Sequence, residues 1–234
     1  MSSTFTLTST NYTDYNGETT IIVSSDVTII PNYAFNTDPT YNPYKSSATN
    51  LVTVTFNSNS QCTTIGSHAF YKCTSLTSIN IPDSVTTISD RVFEYCTSLT
   101  SINIPNSVTN IGTAFIAHSS NLQTVTFESG SQLIDMGTYA FYYCTALTSI
   151  NIPDSVTSIG EYTFENCTSL TSINIPDSVI TIGEYAFYKC TSLTSINIPN
   201  TVQSIASHAF ESCSSLTSIN IPDNEYFTII NYRT

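Results

Sequence analysis

Apolar residues fall along this chain in a pattern that keeps restarting. In CTSLTSINIPDSVTTISDRVFEY, residues 73–95, they occupy Cys73, Leu76, Ile79, Ile81, Val85, Ile88, Val92 and Phe93. The order resumes 23 residues on at Cys96, and again through Cys144, Cys167, Cys190 and Cys213 at that step. Ser119 stands where a further cysteine belongs, 25 residues before Cys144. Extended backwards, the template places Leu51, Val54, Phe56, Cys62, Ile65, Ala69 and Phe70 in an earlier unit. Ile21, Val23, Val27, Ile30, Ala34 and Phe35 fall in the unit before it. A fixed period of this length marks a solenoid, each repeat being one supersecondary piece stacked on the next.

Within a unit, Ile79 and Ile81 alternate with Ser78 and Asn80, the period-two signature of a short strand with one face inward. Pro82 ends that strand because it has no N–H for the ladder. A second apolar return, Val85 to Ile88, leads into segments such as IGEYAFYK. There Gly160 or Gly183 is expected to permit a turn, and Ala-Phe to close a short helical or 3-10 segment. One unit cannot bury both apolar edges, whereas coils stacked at the strand spacing of roughly 4.8 Å do. The units from Ala48 and Ser119 replace the proline with a longer turn, NSNSQ or ESGSQ. The unit at Gly112 to His118 reads as one residue short, leaving both Phe115 and Ile116 as candidates for its phenylalanine slot.

The pattern Leu-x-x-Ile-x-Ile-Pro-x-x-Val-x-x-Ile-Gly-x-x-Ala-Phe-x-x-Cys resembles the BspA-like, or Treponema-type, leucine-rich repeat over about residues 21–223. The expected fold is a leucine-rich-repeat solenoid, a right-handed superhelix of about nine 23–25-residue coils. Short parallel strands, turns and short helical or 3-10 segments make up each coil, with no separate domain. Residues 1–20 are then an N-terminal lead-in, 21–223 the repeats with an insertion loop at 36–48, and 224–234 a C-terminal cap. The resemblance implies a binding protein, in a family associated with surface proteins of mucosal microbes, adhesion and host matrix contact.

Composition narrows the partners. Asp and Glu number 17 against 5 Lys and Arg, a formal net charge of -12, and nucleic acid needs the clustered cations this balance lacks. The opening MSSTFTLTSTNYTDYNG has no basic stretch before an apolar run, so it does not read as a secretory signal. No apolar run approaches the roughly 20 residues that span a bilayer, so no membrane insertion is expected. Cell-surface location follows from the resemblance, and a cytoplasmic location from the missing signal and anchor. Both stay open.

Six of seven cysteines share one repeat position, a column whose Cβ atoms point the same way roughly 4.8 Å apart, whereas a disulfide wants converging vectors at roughly 3.8 Å. Buried free thiols are expected. No phosphate loop, HExxH, CxxC or Gly-x-Ser-x-Gly is present, so the reading is non-enzymatic, with no catalytic residue, cofactor or metal site assigned. His68 and His208 read as solvent-facing repeat positions. Asp83, Asp154, Asp177 and Asp223 follow the prolines as turn residues, with calcium binding as the minor alternative, and Glu161 and Glu184 read as turn residues too.

Two faces are candidates for a partner. Tyr139, Tyr162 and Tyr185 share one repeat position continued by His208, while Tyr142 and Tyr188 share another beside Tyr143. Tyrosine is enriched in interfaces, so this side is the favoured protein contact. The alternative is the outward strand face, Ser149, Asn151, Ser172, Asn174, Ser195 and Asn197, suited to a glycan or periodic lattice. The expected function is a protein-interaction module, an adhesion or host-contact protein by resemblance, with an intracellular scaffold as the alternative. The insertion loop, with Pro39, Tyr41, Pro43 and Tyr44, either carries function or shields the core. Tyr226, Phe227, Ile229 and Ile230 suit capping or a weak homodimer.

Overall fold

The structure is a computed structural model, and it describes residues 3–11, 14–38, 46–220 and 228–229. Short parallel strands form two walls. The first wall stacks Thr4–Leu7, Thr20–Val23, Thr53–Phe56 and Ser78–Ile79, with Ser101–Ile104, Thr124–Phe127 and Ser149–Ile150 as a second run. Bridges Asn151 to Asn174 to Asn197 continue it to Ser195–Asn197 and Ser218–Asn220. The second wall stacks Ile29–Ile30, Thr64–Ile65, Thr87–Ile88 and Asn110–Ile111, then Ser158–Ile159, Thr181–Ile182, Ser204–Ile205 and Thr228–Ile229. Every pairing is parallel and in repeat register, as with Ile65 to Ile88 and Ile182 to Ile205. A register slip of one would turn each buried isoleucine to solvent.

The strand stack begins inside the segment read as a lead-in, because Phe5 and Leu7 alternate with Thr4 and Thr6 and pair with Ile21 and Val23. Buried Tyr15 of that segment meets Phe35 edge-on at 5.2 Å, closing the first end of a phenylalanine column. Its hydroxyl donates to the Glu18 carbonyl at 2.6 Å. Inside, Phe70 stacks on Phe93 at 5.5 Å, and the series Phe141, Phe164, Phe187 and Phe210 repeats that contact at 5.3 to 5.4 Å.

The third side departs from expectation. No helix forms after the glycine; the 3-10 turn Ser46–Asn50 is the only helical element among the described residues. Each coil instead chains overlapping β-turns. Ala140 donates to Gly137, Tyr142 to Tyr139, Cys144 to Phe141 and Leu147 to Cys144, all through backbone groups. The residues between them point their N–H groups at the next coil, Tyr139 to Glu161, Phe141 to Thr163 and Tyr143 to Glu165, each at 2.9 Å. This alternation needs left-handed residues, and Gly160 and Gly183 are not among them. Tyr139, Tyr143, Tyr162, Asn166, Tyr185 and Lys189 all have φ between 55 and 58°. Gly160 and Gly183 are required for another reason. A Cβ on Gly183 would lie 2.6 Å from the Glu161 nitrogen and 2.7 Å from the Gly160 carbon.

The same ladder corrects the reading of the coil at Gly112. Phe93 donates to Phe115, and Ile116 to Ala140, as the phenylalanine of every coil donates to the alanine slot of the next. Nothing is missing from this coil: Ile116 fills the phenylalanine slot and Phe115 the alanine slot. Phe115 still reaches the core, but meets Phe93 and Phe141 edge-on, so the parallel ring stack is broken there and resumes beyond.

All seven cysteines are buried free thiols. Those of the column share one job: each donates to the backbone carbonyl in the phenylalanine slot of the preceding coil, Cys96 to Phe70 at 3.3 Å, Cys167 to Phe141 at 3.3 Å and Cys190 to Phe164 at 3.2 Å. Ser119 donates to Phe93 at 3.1 Å in the same way. Most of the insertion loop lies outside the described residues, with Pro39, Tyr41, Pro43 and Tyr44, and so do Asp223, Tyr226, Phe227 and Ile230.

Candidate partner-binding face

The turn side is built by residues that pay for a left-handed backbone. Such a conformation costs an ordinary residue about 1–2 kcal/mol, and two occur in each coil from His68 to Ser212. The inter-coil hydrogen bonds and the rings offset it. Because equivalent residues repeat at the coil spacing, their rings meet face to face: Tyr139 and Tyr162 at 4.6 Å and 4°, Tyr162 and Tyr185 at 5.0 Å and 12°, Tyr185 and His208 at 4.7 Å and 9°. Aromatic pairs contribute roughly 0.5–1.5 kcal/mol beyond their burial.

Tyr142 stands edge-on to Tyr139 at 5.3 Å and touches Tyr143 at 4.6 Å; Tyr188 repeats the edge-on contact with Tyr185 at 5.3 Å. The seven residues picked from the sequence, Tyr139, Tyr142, Tyr143, Tyr162, Tyr185, Tyr188 and His208, therefore form one surface, half-buried except for exposed Tyr143. His68 and His208 are half-buried in this layer, His68 lying on Tyr33 at 4.9 Å. Burial holds the His68 imidazole below its ordinary pKa.

The face extends further than the sequence suggested. Tyr71, Tyr95 and His118 continue it toward the N-terminus, Tyr95 stacking on His118 at 4.4 Å and His118 on Tyr143 at 5.2 Å. All of the described Lys and Arg residues, Lys72, Arg91 and Lys189, lie on it too. The signal was available: His118 holds the position of Tyr143, and Arg91 that of Tyr139.

One row on this face alternates aromatic and acid. Tyr71 and Glu94, Tyr142 and Glu165, Tyr188 and Glu211 succeed one another, with Ala117 between the first two pairs. Glu94 and Glu165 are buried, and burial raises the pKa of both. Arg91 donates to Glu94 at 2.9 Å, and His208 pairs with Glu211. Glu165 accepts from the Asn166 amide at 3.0 Å. Tyr142 is pushed up to about 12, first by desolvation and then by the charge of Glu165.

The other candidate face, Ser149, Asn151, Ser172, Asn174, Ser195 and Asn197, is exposed, and its asparagines are in register. Beside it the threonine hydroxyls turn back on the backbone, Thr171 to Thr148 at 3.2 Å and Thr194 to Thr171 at 3.4 Å. That leaves fewer groups for a ligand. Asp83, Asp154 and Asp177 are exposed at their turns.

A family model described as the BspA type leucine rich repeat region matches this chain in six copies, over residues 11–138 and 134–234. A leucine-rich repeat protein from Bacteroides ovatus is 27% identical, with a TM-score of 0.65 over 87% of this chain and 55% of its own. One from Eubacterium ventriosum is 23% identical, TM-score 0.65, over 86% and 60%. The leucine rich repeat protein of T. pallidum is 24% identical, TM-score 0.56, over 86% and 79%. The chain thus spans little more than half the length of the first two. No curated protein matches it.

Proposed function

The chain belongs to the BspA type leucine rich repeat family, and from that premise we propose that it is a non-enzymatic protein-interaction module which grips its partner with the turn-side aromatic face, in adhesion or host contact at a cell surface. The contiguous, part-exposed set Tyr139, Tyr142, Tyr143, Tyr162, Tyr185 and Tyr188 carries this reading. Tyrosine and arginine dominate the energetics of protein interfaces, and this face holds both, whereas the strand face offers small uncharged groups. Rings held by their neighbours lose little further freedom on binding, which lowers the entropic cost of an interface.

A photo-crosslinking residue placed at Tyr143 or at Ser172 tests the choice of face on cells that make the protein. Adducts from position 143 alone support the aromatic face. Adducts from position 172 alone, or from neither, overturn it. Antibody labelling of intact, unpermeabilised cells tests the surface location, and staining only after permeabilisation would reject it.

A further inference from the structure

The three aromatic-acid pairs of the turn side are built alike, but only two are complete. In the first, Lys72 lies 5.3 Å from the Tyr71 ring centre and Arg91 bonds Glu94. In the last, Lys189 lies 4.9 Å from the Tyr188 ring centre and His208 pairs with Glu211. Each pair thus takes a cation from the residue after its tyrosine, and a nitrogen partner for its glutamate from the residue three before it. In the middle pair, Tyr142 and Glu165, both places are aromatic: Tyr143 stands where Lys72 and Lys189 do, and Tyr162 where Arg91 and His208 do. Among the described residues no cation lies within ion-pair distance of Glu165, although it is only 9% exposed. Its one side-chain hydrogen bond is to the neutral Asn166 amide, at a single oxygen.

A carboxylate on a buried residue, with one neutral hydrogen bond and no ion pair, gains from a cation that meets it. Resting on the reading of this face as the partner surface, we propose that Glu165, next after Tyr142 in its row and bonded through its backbone to Tyr143 and Tyr162, receives an arginine side chain from the protein partner. Arg91 on Glu94 is the internal template for that contact. A guanidinium suits the place better than an ammonium, because its planar fork bonds a carboxylate while its face lies along an aromatic ring. The net charge of -12 draws a basic segment toward the surface. Lys189, already seated over Tyr188, lies near enough to lower the pKa of Glu165 but makes no ion pair with it.

The test uses the full chain and three peptides, acetyl-Gly-Ser-X-Ser-Gly-amide with X as arginine, lysine or citrulline, followed by amide chemical shifts in NMR. The arginine peptide is expected to move the Tyr143, Tyr162 and Asn166 signals saturably, lysine more weakly, and citrulline not at all. Glu165→Gln should weaken arginine-peptide binding at least about tenfold, roughly 1.4 kcal/mol, and Asp154→Asn, at an exposed turn off this face, should leave it unchanged. Tyr162→Arg supplies the cation from within the chain, so it should abolish peptide binding without lowering the melting temperature. Equal shifts from citrulline, or unchanged binding to Glu165→Gln, would overturn the proposal; the wild-type peptide series decides it even if a variant fails to fold. Crosslinking of a partner at position 143 that Glu165→Gln leaves intact would defeat this contact alone. Arginine-peptide binding with no partner captured would defeat the functional reading and leave the contact standing.

Discussion

A thiol and a hydroxyl are interchangeable at one position of this protein, and the reason is a carbonyl. Each slot occupied by Cys96, Ser119, Cys167 or Cys190 must supply a donor to the coil before it. Cys167→Ala removes that donor and leaves the Phe141 carbonyl with the Cys144 N–H alone, at a cost of about 0.5–1.5 kcal/mol. Cys167→Ser keeps the donor, so urea melting midpoints should place it between wild type and the alanine variant. Burial also raises the pKa of every thiol, Cys213 to about 11 and the rest in the same direction. The unfolded thiol ionises near pH 8.5. Above that, the unfolded chain releases protons that the folded chain holds, so this contribution is intact below about pH 8.5 and lost as pH rises toward the folded values. Melting temperatures measured from pH 7 to 10.5 should fall, and seven alanine replacements combined should flatten the decline if the variant folds.

At the scale of the element, the strands were legible and the turns were not. Period-two alternation at Ile79 and Ile81, closed by Pro82, specifies a strand whatever surrounds it. The segment after the glycine carries the spacing of a helix turn, with Ala and Phe where a helix would bury them. What overrides that local preference is the adjoining coil, which takes the N–H groups of Tyr139, Phe141 and Tyr143. No single repeat contains this information, so the left-handed tyrosines could not be read from the sequence. The tyrosines of the candidate face were legible, because equal repeat positions must stack. Arg91 was legible from its repeat position, the one of Tyr139, whereas Glu94 and Glu165 were missed because their row shows only when coils are compared. Gly183→Ala tests the revised role of the glycine. Its Cβ would press on backbone that cannot turn aside, and about 1–3 kcal/mol of overpacking is expected in denaturant melts. A cost near that of an exposed alanine would return the glycine to its role as a turn former.

For the whole molecule, the core is continuous, so damage should spread. Ile173→Asp places a charge between the equivalent Ile150 and Ile196, all three buried. A loss on the order of several kcal/mol is expected, with hydrogen-exchange protection falling in the coils on both sides. Protection lost in its own coil alone would contradict nearest-neighbour coupling. The net charge of -12 sets a second expectation: screening self-repulsion by moving from about 0.01 to 0.15 M salt should raise the melting temperature. The direction of the inter-coil hydrogen bonds bears on the stack as a whole. On the turn side, earlier coils donate to later ones, as from Tyr162 to Glu184. Beside the strands the sense reverses, Thr86 donating to Thr63 and Gly183 to Ile159. Bond dipoles on different sides of the same coil therefore oppose one another, unlike those of an α-helix, which add into a macrodipole. Lengthening the stack accumulates no comparable polarisation, so coils can be added by duplication without an electrostatic penalty that grows at the ends.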